Sequence, residues 1–340
     1  MKVLVTGGTG YIASHTVVQL LEAGHTPILL DKYSNSSPSV LKRIESITST
    51  SVECHKVDLE DSKALDGVLT RHLNLKTGKC EIEAVIHFAG RKCVPESLLV
   101  PLEYYRTNIT STLNVLQAMH DFGIPNLIFS SSAAVYGSSG QGRYDEEAPV
   151  QPTNPYATSK ATCERIIEDC ARAMNLNVIS LRYFNPVGAH PSGLLGEDPR
   201  ALNNLFPILA RCAHRSEPLL IHGFDYETVD GTAVRDYLHV MDVAQGHLQA
   251  LQYIMSEKSS VREVVNLGSG QGTSVLEAVR LFTRTTGANV PFRLGPRRPG
   301  DAAVLVAQVS KAESLLKWRP QYTLEAACKD LWKWTQLNSH

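Results

Sequence analysis

The strongest constraint on the fold of this chain is a succession of short apolar segments, "KVLVT", "TPILL", "VECHKV", "AVIHFAG", "NLIFSSS" and "NVISLRYF", each separated from the next by a longer amphipathic stretch. Strands that are apolar on both faces must be covered on both faces, and the intervening stretches are long enough to supply the covering helices. The pattern predicts an α/β fold with a doubly wound parallel sheet in the first half of the chain. After Asn185 it loosens into "NPVGAHPSGLLGEDPR", with further helical stretches near 206–214 and 240–255. We therefore expect one domain over 1–184 and a smaller α/β substrate domain over 185–340, with segments of the C-terminal half able to return to the first sheet.

Charge and cysteine usage narrow the function classes. The 33 basic and 34 acidic residues nearly cancel and neither sign forms a run, which argues against nucleic acid or an anionic membrane as a partner. Met1 leads straight into "KVLVTGG", without a leader pattern, and no apolar stretch approaches the roughly 20 residues of a membrane span, so a cytoplasmic location is expected. Seven cysteines, scattered and without CxxC spacing, argue against a disulfide framework and a zinc site, and no metal is expected.

The first strand runs into "TGGTGYIASH", where Gly7, Gly10 and Ala13 fall at three-residue intervals ahead of a helical pattern. Glycines at a strand-to-helix turn let backbone amides approach a pyrophosphate, and the helix N-terminus adds partial positive charge. A tight turn without a ligand is the plainer explanation of glycines alone. Asp31 closes the second strand about 20 residues on, where an acid accepts hydrogen bonds from an adenosine ribose and repels the extra phosphate of NADP. NAD is favoured, although the neighbouring Lys32 could pair with a phosphate.

A second constellation lies at "NPYATSK". Asn154 suits an N-cap and Pro155 the first helical position, so a helix begins just ahead of Tyr156 and runs into "ATCERIIEDCARAM". Tyr156 and Lys160 then sit one turn apart on one side, and a cation there favours phenolate, making Tyr156 a proton acceptor. In "FSSSAAVYG" three serines leave the strand end where a doubly wound sheet places its ligand, and Ser132 could hydrogen-bond a hydroxyl or developing alkoxide opposite Tyr156. The plainer readings are an exposed Tyr/Lys pair and a turn serine.

The combination of TGGxGxxx, "SSSA" and YxxxK resembles the extended short-chain dehydrogenase/reductase superfamily. The stretches "HFAGRKCVPESLLVPLEYYRTNITSTLNVLQAM", "LRYFNPVGAHPSGLLGEDP", "NNLFP", "DGTAVRDYLHVMDVAQGH" and "WRPQYTLEAACKDLWKW" resemble the UDP-glucose 4-epimerase family, nearly end to end. The resemblance implies a Rossmann-type domain with tightly bound NAD, recycled in each turnover, and interconversion of UDP-galactose and UDP-glucose through a transient 4-keto sugar. It implies Tyr156 as base, Lys160 lowering its pKa and holding the nicotinamide ribose, and Ser132 assisting. It places Gly7, Gly10, Tyr11, Ile12, Asp31, Lys32, Tyr33, Ser34, Asn35, Ser36, Asp58, Leu59, Phe88, Ala89, Gly90, Lys92, Asn108 and Phe184 on NAD, with Tyr156 and Lys160. Lys92, Ser132, Tyr156, Asn185, Asn204, Leu205, Leu220, Ile221, His222, Arg235, Arg298 and Leu305 fall on the UDP-hexose. The family's usual homodimer, joined through helices after "VPLEYY" and at "YATSK", is implied as well, and 103–122 carries an apolar stripe suited to it.

Departures from the family pattern qualify the resemblance. Ala134 stands where a threonine is usual, removing one hydroxyl whose hydrogen bond is worth about 0.5–1.5 kcal/mol. Ala13 replaces the last glycine of the fingerprint, Pro95 a glycine and His222 a phenylalanine. Leu305 occupies the position that gates the hexose 2-substituent, and its intermediate size favours UDP-glucose and UDP-galactose, with weaker action on the N-acetyl sugars. A 4,6-dehydratase would need an acid after the serine, where Ala133 and Ala134 stand. A UDP-glucuronate epimerase or decarboxylase, or a non-catalytic NAD-sensing protein, are the alternatives.

Overall fold

The six apolar runs become strands β1 (Lys2–Thr6), β2 (Thr26–Asp31), β3 (Glu53–Lys56), β4 (Ile82–His87), β5 (Asn126–Ser130) and, after the two-residue β6 (Arg143–Tyr144), β7 (Asn177–Tyr183). The computed structural model describes residues 1–138, 142–199, 204–298 and 301–338; of the motif residues above, Arg200 and Asn203 lie outside them. Between the strands run α1 (Tyr11–Glu22), α2 (Ser39–Thr48), α3 (Ser62–Thr70), α4 (Val94–Leu99), α5 (Pro101–Phe122) and α6 (Pro155–Met174). The remaining elements are β8 (Asn185–Val187), α7 (Leu205–Arg215), β9 (Leu219–His222), β10 (Val234–His239), α8 (Val240–Ser256), β11 (Arg262–Leu267), β12 (Gly272–Ser274), α9 (Val275–Thr286), β13 (Phe292–Gly295), β14 (Val304–Ala307), α10 (Ser310–Leu316) and α11 (Leu324–Asn338).

One parallel sheet takes the order β11-β7-β5-β4-β1-β2-β3. Side-chain alternation sorts it into two cores. Val3, Val5, Leu29, Ile86 and Ile128 join Val17 and Val18 of α1 and Leu251 of α8 on one face. Leu4, Ile28, Leu30, Val85 and Leu127 join Leu65 of α3, Val115 and Met119 of α5 and Ile167 of α6 on the other. Each such aliphatic side chain removed from water contributes about 1.5–3 kcal/mol. The strand order reverses between β1 and β4, which opens a crevice outside their C-terminal ends.

Helix α8 and strand β11 come from beyond residue 184, yet α8 packs on α1 and β11 pairs with β7 in full register. The reason is that the outer strand needs a partner and the sheet face needs cover. The smaller lobe is built from the sheet β12-β10-β14-β6 with β8 beside β10, the parallel pair β9 and β13, and α7, α9 and α11. Phe206, Leu209, Ile221, Phe282, Cys328 and Trp334 fill its core. All seven cysteines are free thiols. Among the described residues, no helix is long and apolar enough to cross a membrane.

His15, His87 and His247 are buried in or beside the large sheet. Burial pushes His15 and His87 down to about 3 and His247 to about 4, from an ordinary 6.5. Once unfolded they take up protons as pH falls through 6.5, whereas folded they stay neutral until about 4 or below. The unfolded state thus binds more protons in that window, and stability falls on acidification by up to about 1.4 kcal/mol per pH unit per histidine. Asp236, raised by burial, acts in the opposite sense. We expect thermal unfolding scans to show the melting temperature dropping from pH 6.5 to 4.5, and dropping less steeply in His87→Gln; equal slopes would refute the assignment.

Candidate active site

The turn after β1 is shaped by backbone geometry. Gly7 has φ +65°, a Cβ there would lie 3.0 Å from the Ala89 backbone, and one on Gly10 would lie 3.1 Å from the Gly7 carbonyl. Gly10 is the N-cap of α1 and provides no side chain to cap the first amides, which leaves them facing the crevice. Asp31 is held beside this turn: its carboxylate accepts from the Thr9 amide at 3.0 Å, the Tyr33 amide at 2.7 Å and the Ser36 hydroxyl at 3.3 Å. The turn can therefore take a pyrophosphate, with an acid beyond it for a ribose.

These residues open onto a cleft of about 630 Å³. Of the sequence-predicted positions, Gly7, Gly10, Tyr11, Ile12, Asp31, Lys32, Ser34, Asn35, Asp58, Leu59, Phe88, Ala89, Gly90, Lys92, Tyr156 and Lys160 line it. The Lys32 ammonium lies 3.1 Å from Asp58 and 3.6 Å from Glu60, so its charge is already matched by acids.

Four predicted cofactor residues stand back from the wall. Tyr33, in the left-handed region at φ 59°, directs its hydroxyl to Cys54 Sγ at 3.3 Å. Ser36 bonds Thr9 and Asp31. Asn108 clamps the loop after β4, accepting from the Arg91 amide at 2.8 Å and donating to the Arg91 carbonyl at 3.2 Å and to Ser159 at 2.8 Å. Phe184 packs among Ala133, Val135, Tyr136, Tyr144 and Ala307.

Helix α6 starts as its sequence requires: Asn154 Oδ1 accepts from the Ala157 amide at 2.9 Å, with Pro155 in the first turn. Tyr156 and Lys160 are both nearly sealed, at 7% and 5% exposure. Burial raises the Tyr156 phenol above its usual 10.0, and a hydrogen bond with Ser132 opposes that rise. Burial pulls Lys160 down to about 8. The expectation that Lys160 lowers the Tyr156 pKa is thus not met by the protein's own groups. The lysine ammonium donates to the Ser130 carbonyl at 2.7 Å and lies 4.8 Å over the Phe129 ring, while the phenol meets Ser132 instead. Ser132 also caps the 3-10 turn 133–136, accepting from the Ala134 amide at 3.2 Å, which is the turn role its sequence context allows.

Apart from Lys92, Ser132 and Tyr156, the predicted sugar-side residues belong to the smaller lobe. Asn185 donates to the Asp236 carbonyl at 2.9 Å, and Arg235 donates to the Val234 carbonyl at 2.9 Å and lies 3.4 Å from Asp301. Leu305 pairs in register with Arg235 and packs against the cluster around Phe184. Leu220, Ile221 and His222 lie on β9; Leu220 is 42% exposed, whereas the side chain of Ile221 is taken up by the core. Asn204 caps α7 and Leu205 begins it, and Arg298 is exposed at the last described residue of its segment.

Sequence reasoning missed several cleft residues. Ser130 and Tyr183, hydrogen-bonded to each other, sit at the C-terminal ends of β5 and β7, where a doubly wound sheet holds its ligand, so strand ends alone could have flagged them. Arg91, Cys93, Thr107 and Ser111 also line the cleft. Glu197 pairs with Lys92 from a site only 5% exposed, and nothing local in "GEDP" announces it.

The chain is 46% identical over 340 residues to a UDP-glucose 4-epimerase of Dictyostelium discoideum, covering 99% of this chain and 96% of that protein. It belongs to the UDP-glucose 4-epimerase family. The model of the family described as GDP-mannose 4,6 dehydratase matches residues 4–331. Two solved members of the epimerase family share the fold from end to end. The UDP-glucose 4-epimerase of Stenotrophomonas maltophila, with bound NAD and formylated UDP-arabinopyranose, superposes with a TM-score of 0.94 at 42% identity, covering 100% of this chain and 99% of that one. The enzyme of Bifidobacterium longum, in complex with NAD+ and UDP, gives 0.93 at 42% identity with the same coverage.

Proposed function

We propose that the chain is an NAD-dependent epimerase that interconverts UDP-galactose and UDP-glucose through a transient 4-keto sugar. The observation that carries this reading is the meeting of Tyr156 and Lys160, one helical turn apart, on one wall of the glycine-lined cleft, with Ser132 interacting with the phenol. The glycine turn and the first amides of α1 would hold the pyrophosphate of NAD, and Asp31 the adenosine ribose. Pairing of Lys32 with Asp58 and Glu60 supports NAD over NADP, because an added phosphate would meet acids rather than a free cation. When bound, NAD would supply the hydride acceptor and a positive charge.

The chain's own part is to bind, orient and move one proton. Burial favours the protonated phenol, so Tyr156 is set to return a proton to a keto oxygen; removing one from the 4-hydroxyl draws on extra positive charge at the site. Ser132 lies where it would hydrogen-bond the same oxygen and hold it against Tyr156. Lys160, anchored on Ser130, would meet the nicotinamide ribose, and Asn108 and Phe184 act from behind the wall, shaping the loop and the floor. Lys92, Arg235 and Arg298 would hold the diphosphate. Asn185, Asn204, Leu205, Leu220, His222 and the backbone of Ile221 would hold the UDP, with Leu305 beside the hexose. Ala133 and Ala134 leave no acid after Ser132, which counts against 4,6-dehydration. The large sheet with α8 and β11 would bind NAD and the smaller lobe the UDP-sugar. Exposed Leu98, Leu99 and Leu102 at the α4–α5 junction support a homodimer, and a cytoplasmic site of action accords with this chemistry.

The test is NMR of the purified protein with UDP-galactose or UDP-GalNAc and no added cofactor. We expect UDP-galactose to be converted to UDP-glucose, and UDP-GalNAc to be converted more slowly or not at all because of Leu305. No conversion of either, with NAD found on the protein, would replace this reading with the sensor or acid-sugar alternative.

A further inference from the structure

At the far end of β3 from the cleft, three ligand-type side chains converge. Glu53 and His55 are two residues apart on the edge strand and so share one face, and His72, just beyond α3, reaches them from the connection to β4. Glu53 Oε1 lies 2.7 Å from His55 Nε2 and 3.4 Å from His72 Nε2, and the three donor atoms fall within 4.8 Å of one another. His72 is 6% exposed; its Nε2 is within ion-pair reach of Glu53 but aligned with no hydrogen-bond partner. A buried ring nitrogen aimed at a carboxylate without bonding it is an arrangement that a shared ligand would complete.

We propose that Glu53, His55 and His72 bind one divalent transition-metal ion of the zinc type. Two imidazoles and a carboxylate suit such ions, and three protein ligands leave a position for water. Metal–ligand bonds of about 2.0–2.1 Å set tetrahedral donors about 3.3 Å apart. The Glu53–His72 separation meets that spacing as it stands, and the Glu53–His55 contact must open by about half an ångström. Glu53, with its side chain 48% exposed, can rotate to do so. The nearest competing cation, Lys2, is paired with Glu81 at 2.6 Å. The bound ion would tie the sheet edge to the end of α3, away from the reacting groups.

The experiment uses the untagged full chain, stripped with a chelator. Titration with zinc in a calorimeter is expected to show one saturable site per chain and a higher melting temperature. Glu53→Gln and His72→Gln should each weaken binding by about 10–100-fold or more, the range seen even for groups that only support a ligand. Glu53→Gln changes an exposed position and keeps the proposal testable if the His72 variant misfolds. Epimerase turnover of metal-free Glu53→Gln should equal that of wild type. Cobalt in place of zinc should give a spectrum of nitrogen and oxygen ligands. No saturable binding, unchanged affinity in Glu53→Gln, or a sulfur-to-cobalt charge-transfer band marking a cysteine site would overturn the proposal.

Discussion

Replacing Tyr156 with phenylalanine is expected to lower turnover of UDP-galactose by roughly 10²–10⁴-fold, the usual contribution of a positioned general acid or base. The phenyl ring keeps the packing of a residue that is only 7% exposed, so the fold should survive. What disappears is the hydroxyl that meets Ser132 and carries the proton. Ser132→Ala should have a smaller effect, because it removes a hydrogen bond and leaves the proton carrier. Steady-state kinetics, with NAD content measured on the same preparation, separates loss of chemistry from loss of cofactor. Turnover within about tenfold of wild type, with NAD retained, would remove Tyr156 from the proton-transfer role.

The largest stability effect is expected at Arg182. Its guanidinium donates to Glu164 through Nη2 at 2.6 Å and Nε at 3.0 Å, and through Nη1 to the Tyr136 hydroxyl at 3.1 Å and the Glu146 carbonyl at 3.4 Å. Tyr136 passes the chain on to Asn266 at 2.7 Å, and Ser131 donates to the same Glu164 carboxylate. The side chains of Arg182 and Glu164 are only 6% and 10% exposed, so neither charge has water to fall back on. The pair raises the Arg182 pKa despite its burial. Arg182→Ala strands a buried carboxylate and should reduce the unfolding free energy by about 3–5 kcal/mol, read from urea denaturation. The double variant Arg182→Leu with Glu164→Leu should lose less, since it buries no unmatched charge. A single variant within about 1 kcal/mol of wild type would show that the pair is solvated and the network slack. The serine segment that carries Ser132 is anchored on this network through Ser131, so the loss should also lower turnover at temperatures where the variant is folded.

Strands, caps and the glycine turn were legible in the chain because each is a local matter. The runs at 2–6, 26–31 and 126–130 are apolar at consecutive positions whatever lies around them, and Asn154-Pro155 starts its helix through its own dihedral preferences and side-chain reach. The spacing of Gly7 and Gly10, the acid closing β2, and the tyrosine and lysine one turn apart likewise depend on neighbours in sequence, and this was enough to point to a nucleotide and a proton carrier.

What only the tertiary structure decided depends on groups far apart in the chain. The return of β11 to β7 depends on which strand edge is left open once the sheet has formed. The direction of the Lys160 ammonium depends on a carbonyl supplied by β5, and the rise in the Tyr156 pKa on how deeply the helix is buried, a desolvation that outweighs the hydrogen bond from Ser132. Lys92 finds Glu197, and Glu53 finds His72, only after the loops are packed. A sequence states which side chains exist and how neighbours along a helix or strand are disposed. Burial and long-range pairing, which set charge and protonation, exist only once the chain has closed on itself.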